Sequence, residues 1–173
     1  VAGGGATFIF DSSFPSSKVL YPSNNATFTS LAVISGTASD YPPGGGLVNS
    51  GVKQMQIQLK RTSDTTYWTG VIWTSEITWV NASNGAAFWD YTSLPGSWTS
   101  NVNHIATPRA LDQASKDEGA GPSVTFAFDT DPPVSTVIGP TNNGKYTVLN
   151  KVTGTASDAS PGVVNNVKVG IRN

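Results

Sequence analysis

Residues 7–40 and 125–158 carry nearly the same text. TFIFDSSFPSSKVLYPSNNATFTSLAVISGTASD lies over TFAFDTDPPVSTVIGPTNNGKYTVLNKVTGTASD at a displacement of 118 residues without a gap, and 17 of the 34 pairs are identical. Other pairs exchange like for like: Leu20 with Ile138, Phe28 with Tyr146, Ile34 with Val152. Self-similarity at one fixed displacement is the mark of a tandem array of folding units. The 173 residues then divide into the last strand of a preceding unit (1–11), a complete unit (12–129) and the first part of a following one (130–173). Both expected boundaries carry proline: Asp11-Ser-Ser-Phe-Pro15 in one copy, Asp129-Thr-Asp-Pro-Pro133 in the other. Proline fixes φ and removes a backbone donor, as a stiff connector requires.

Within a unit the pattern is that of strands. Met55, Ile57 and Leu59 alternate with Gln56, Gln58 and Lys60, and Phe126 and Phe128 flank Ala127. A two-residue period of this kind marks a half-buried strand. Further strands are expected over 18–21, 31–38, 67–73, 77–80, 87–91, 102–110 and 124–128, and over 5–10 as the match of 121–128. Turn signals separate them: Pro22-Ser-Asn-Asn25, Tyr41-Pro-Pro-Gly-Gly-Gly46 and Leu94-Pro-Gly96. No window sustains apolar residues at helical spacing. Seven to nine short strands with turns between them predict an all-β antiparallel sandwich. Leu31, Val33 or Ile34, Met55, Ile57, Leu59, Ala106, Val124, Phe126 and Phe128 are the expected core.

These phrases in this order resemble the bacterial immunoglobulin-like repeats of very large secreted or surface-attached proteins. The resemblance runs from FDTDPPVST through SGTASD, GVKQMQIQLKR, YWTGVIWTSEITW and FWDYTSLPGSW to RALD and SVTFAFD, and covers essentially the whole chain. It implies an immunoglobulin-like β-sandwich with Greek-key connections, arranged end to end in an extracellular, cell-surface stalk, adhesin or filament. Two departures stand out. His104 occupies a place in the penultimate strand where the family usually carries tyrosine, and Pro108 interrupts that strand, which is expected to bend there. The following loop reads Asp112-Gln-Ala-Ser-Lys116, then the longer Asp-Glu-Gly-Ala-Gly.

Charge narrows the partners. Charged residues make up 12% of the chain and the net charge is −1, which excludes the electrostatic footprint of a nucleic-acid or anionic-membrane binder. No apolar run is long enough to span a bilayer, and no signal peptide is visible. Cysteine is absent, so no disulfide framework staples the fold.

Candidate chemistry is sparse. His104, the one histidine, lacks a neighbouring nucleophile motif and reads as a packed or capping residue rather than a catalytic base. Asp40 and Asp158 follow Thr-Ala-Ser in both copies, where carboxylates commonly hold turning backbone. A calcium site between units would draw on Asp129, Asp131 and Asp158, or on Asp112 with Asp117 and Glu118. Calcium wants six to eight oxygens. The first connector offers only Asp11, with Ser13 where the second has Asp131, so no cofactor is expected and calcium should be dispensable. Five tryptophans fall between 68 and 98. Packing is the expected use of these rings; exposed faces of Trp68, Trp73 and Trp98 would instead make a carbohydrate-binding module. Asn25-Ala-Thr and Asn81-Ala-Ser fit the glycosylation sequon, although turn formation explains the first more simply.

The expected function is therefore a non-enzymatic structural or adhesive module, with a cell-surface glycan as alternative ligand. A further expectation concerns the partial units. The strand at Thr7, Phe8, Ile9 and Phe10 of one copy should pair with the edge at Val167, Val169 and Ile171 of the next, a head-to-tail contact that propagates as a filament.

Overall fold

Only an extended chain puts Met55, Ile57 and Leu59 on one face. In the computed structural model, which describes residues 4–8, 10–40, 49–83 and 87–172, that stretch lies in a ten-residue strand at the centre of the larger sheet. The described residues form strands and no helix. In chain order these are β1 (Ser16–Tyr21), β2 (Ala26–Phe28), β3 (Ile34–Ser39), β4 (Val52–Arg61), β5 (Thr66–Trp68) and β6 (Trp73–Thr74). There follow β7 (Val80–Asn81), β8 (Phe88–Tyr91), β9 (Val102–Asp112), β10 (Val124–Phe128), β11 (Val134–Gly139) and β12 (Thr153–Ser157).

One sheet has the order β1-β3-β8, and the other β2-β10-β9-β4-β5-β6 with β7 on β4. Pairing is antiparallel throughout except for β2, which runs parallel to β10. Val19, Ile34, Trp89 and Tyr91 from the smaller sheet meet Met55, Ile57, Leu59, Ala106, Phe126 and Phe128 from the larger one in a single apolar core. The architecture is all-β, consistent with a sandwich. Of the two candidates on β3 and its approach, Ile34 is fully buried and Val33 is not; Leu31 is buried and Val124 half-buried.

Pro108 sits inside β9 without breaking its ladder. The Thr62 N–H donates to Asn103 O, so in this register Lys60–Ile105, Gln58–Thr107 and Gln56–Arg109 exchange the bonds, while Ile57–Pro108 is a non-bonded pair. The donor that Pro108 lacks would point away from β4, on the side where β10 has already ended at Val124–Ala106. Its carbonyl accepts there from Gly121 N at 2.9 Å. The pairing of β4 with β9 keeps its register through Pro108 and shifts only between Val52 and Gln54.

Three expected strands are corrected, and of 77–80 only Val80 lies in a strand. Residues 67–73 do not run straight: Gly70 has φ +96°, Thr69 N donates to Ile72 O, and β5 folds back on β6 with Trp68 opposite Trp73. Residues 4–8 and 10 form no strand within this chain, and Phe8 and Phe10 stand exposed. Ile9 and the 41–46 loop lie outside the described residues.

In the last segment β11 pairs with β12 in a separate two-stranded sheet. Every partner pair there is a β1–β3 pair displaced by 118: Ser16–Ser39 becomes Val134–Ser157, Val19–Gly36 becomes Val137–Gly154, and Tyr21–Ser35 beyond the irregularity becomes Gly139–Thr153. The turns that follow also correspond, with Asn25 at φ 63° and Asn143 at φ 59°. Val167, Val169 and Ile171 are exposed and outside any strand.

Candidate metal centre

Three carboxylates from three distant parts of the sequence converge at one end of the two sheets. Asp11 lies in the connector before β1, Asp40 directly follows β3, and Asp112 is the last residue of β9. Each offers an oxygen within 4.8 Å of the other two, and all three residues are buried. The elements dictate the meeting: β3 and β9 belong to different sheets, and the connector crosses between their ends.

Most of these oxygens are held by backbone N–H groups and hydroxyls. Asp11 Oδ1 accepts from Ser13 N at 2.8 Å and Ser13 Oγ at 2.5 Å, and its Oδ2 from Ser50 N at 2.7 Å. Asp40 Oδ2 accepts from Gly51 N at 2.7 Å, and Asp112 Oδ1 from Lys116 N at 2.7 Å. Gly51 takes φ +82°, a conformation suited to glycine, as its N–H meets Asp40 and its carbonyl meets Gln113 N. The hydrogen bond from the Ser13 hydroxyl, then those from Ser50, holds the Asp11 carboxyl far below the usual carboxylate range.

One oxygen differs. Asp112 Oδ2 is buried and has no hydrogen-bond partner among the described residues. Neither of the ion pairs Arg61–Asp64 and Arg109–Asp117 reaches this cluster. Like charges held this close repel one another. The donors orient the carboxylates but bring no full positive charge.

The other acidic residues do different work. Glu118 bonds Ser17 and Ala110, and Asp117 pairs with Arg109 at 3.4 Å. Asp131 accepts from Asn101 Nδ2 at 2.8 Å. Asp129 and Asp158, displaced by 118 from Asp11 and Asp40, do come together: a Cβ built on Gly162 would lie 2.5 Å from Asp129 Oδ2 and 2.7 Å from Asp158 Cγ.

The aromatic candidates face inward. Trp68 is buried and donates Nε1–H to Ser93 O at 2.7 Å, with Trp73 against it at 5.4 Å between centroids. Trp98 stacks on Phe128 at 4.2 Å and meets His104 edge-on at 5.0 Å. The outer faces of Trp73 and Trp79 carry the guanidinium groups of Arg61 and Arg109. His104 is fully buried among Trp73, Trp98, Phe126 and Phe128. The Asn81 amide oxygen of the second sequon accepts from Gln54 and Gln56. No helix among the described residues is long and apolar enough to cross a membrane. No family model, curated protein or solved structure matches the chain.

Proposed function

We propose that the chain is a non-enzymatic structural or adhesive module of a long extracellular repeat protein or filament, built from immunoglobulin-like units in tandem. The observation that carries this reading is the register of β11–β12, which is that of β1–β3 displaced by 118 down to the irregularity. Sequence similarity between two segments has many causes. A shared register, shared bulge and shared left-handed asparagine at the same displacement are what two copies of one folding unit produce.

Strand order supports the immunoglobulin-like assignment. A β1-β3-β8 sheet facing β10-β9-β4, with an early strand running parallel to the last, is the arrangement of an immunoglobulin sandwich whose first strand switches sheets. The burial of Trp68 and the cation-covered faces of Trp73 and Trp79 favour a packing role over a sugar-binding strip. The 12–129 period, joined head to tail in several copies and examined by small-angle scattering, should give a rod whose length grows in proportion to copy number. A collapsed particle whose dimensions level off would count against the reading. A glycan array probed with the 173-residue chain should show no binding.

A further inference from the structure

We propose that Asp11, Asp40 and Asp112 bind a divalent cation, with calcium as the preferred ion, and that this ion fastens the connector to both sheets. The inference rests on the geometry of these residues and stands whether or not the chain works in a fibre.

Two independent observations point to a ligand. Three buried carboxylates place oxygens within 4.8 Å of one another. Separately, Asp112 Oδ2 is buried with no hydrogen-bond partner among the described residues, although its sister oxygen is held by Lys116 N. Buried polar atoms almost always find partners, so a carboxylate oxygen left bare beside two other carboxylates points to a cation as its partner. The donors from Ser13, Ser50, Gly51 and Lys116 hold the carboxylates in place, the service that outer hydrogen bonds give to metal ligands.

Donor chemistry selects the ion. All three side chains offer hard oxygen and none offers nitrogen or sulfur, which suits calcium, magnesium or manganese rather than zinc or copper. Magnesium demands near-ideal octahedral geometry and retains several waters, whereas calcium accepts irregular sets of six to eight oxygens with carboxylates bound through one or both atoms. A buried set of three carboxylates drawn from a connector and two strand ends fits the second. The corresponding pair Asp129 and Asp158 converges near Gly162, so two of the three ligands recur with the repeat.

The test is calorimetric titration and thermal melting of the 173-residue chain with calcium chloride, magnesium chloride or EDTA. Calcium should bind with a Kd of about 10⁻⁴–10⁻³ M or tighter, the range of extracellular modules. At roughly 100 times Kd it should raise the melting temperature by about 5–10 °C. Asp112→Asn keeps the shape and removes one charge, so it should lose the calcium increment while melting in EDTA no lower than the parent. Asp64→Asn, at an exposed ion pair, should keep the full increment. Equal melting of the parent in calcium and EDTA, with no binding heat, would overturn the proposal. An equal response to magnesium would overturn the choice of calcium, and a calcium increment that survives in Asp112→Asn would place the binding elsewhere. If Asp112→Asn fails to fold, Asp40→Asn takes its place, and the titration of the parent chain still decides.

Discussion

The Glu118 carboxylate grips Ser17 twice: Oε1 accepts the Ser17 N–H at 2.7 Å and Oε2 accepts the Ser17 hydroxyl at 2.5 Å. Oε2 also accepts from Ala110 N at 3.0 Å. Ser17 lies on β1 and Ala110 on β9, so one side chain joins the two sheets. Ala110 faces Met55 in a non-bonded pair, which leaves its N–H pointing away from β4 and in need of this acceptor. Hydrogen bonds to charged groups contribute about 1.5–3 kcal/mol each, and donors left bare when one partner is removed cost more than the average bond. Glu118→Ala should therefore destabilise the chain by about 2–4 kcal/mol in urea unfolding, and Glu118→Gln by less. A change in midpoint too small to measure would show that water replaces the clamp freely.

Gly36 is the point of closest approach in the smaller sheet. A Cβ there would lie 2.0 Å from Lys18 O and 2.5 Å from the Trp89 ring, with Trp89 buried and its Nε1–H bonded to Thr37 O at 3.2 Å. Backbone cannot give way as a flexible side chain can. Overpacking a filled site usually costs about 1–3 kcal/mol, and Gly36→Ala should fall at or above the top of that range. Gly96→Ala is the control, because nothing lies within 4 Å of its added carbon; it should change stability by less than about 0.5 kcal/mol. Equal melting temperatures for the two variants would contradict the packing described.

The sheets were readable from the sequence wherever a two-residue period was long enough. Met55, Ile57 and Leu59, and Phe126 and Phe128, have the buried faces that their alternation implies. The β5–β6 reversal was missed because Trp68 and Trp73 bracket a stretch that reads as one apolar strand, and the signal against it was Gly70 alone. The carboxylate cluster was missed for a different reason. Its members stand at 11, 40 and 112, and only strand pairing brings the ends of β3 and β9 beside the connector. A ligand count taken along one connector finds Asp11 and stops. The usable signal was the recurrence of Asp11 and Asp40 as Asp129 and Asp158 where Ser13 and Asp131 differ. Two acids kept through a repeat in which half the residues changed mark the pair that meets in space.

Phe126 tests the core directly. It is 1% exposed and sits between Phe28, Trp98, His104 and Phe128, with centroid separations of 5.8–6.4 Å. Emptying an aromatic core site costs about 3–5 kcal/mol, since the surrounding rings relax only in part. Phe126→Ala should show that loss in chemical unfolding, whereas Phe88→Ala, at an exposed ring of β8, should show little. Near-parental stability of Phe126→Ala would mean that β10 presents its other face to the core.

His104 gives the fold a pH dependence with a defined window. Its Nδ1 lies 3.1 Å from Val102 O, which places the ring proton there, and Nε2 is buried without a partner among the described residues. Burial among aromatic rings lowers its pKa from 6.5 to about 4, and the Val102 carbonyl offsets only part of that fall. Between these values the unfolded chain takes up a proton that the folded chain refuses, so stability decreases as pH falls from about 6.5 to about 4. The full difference is at most about 3 kcal/mol, from 1.36 kcal/mol per pKa unit. Below about pH 4 both states are protonated at this site and its contribution changes no further. Asp11 and Asp64, which hydrogen bonds hold low, add their own loss of stability from about pH 5 downward, because in the unfolded chain they titrate near 3.9. His104→Phe keeps an aromatic ring in the cluster and removes the titrating nitrogen. Urea midpoints measured every half unit from pH 7.5 to 5 should slope downward for the parent and run nearly flat for His104→Phe. Parallel slopes for the two proteins would assign the acid sensitivity to other groups.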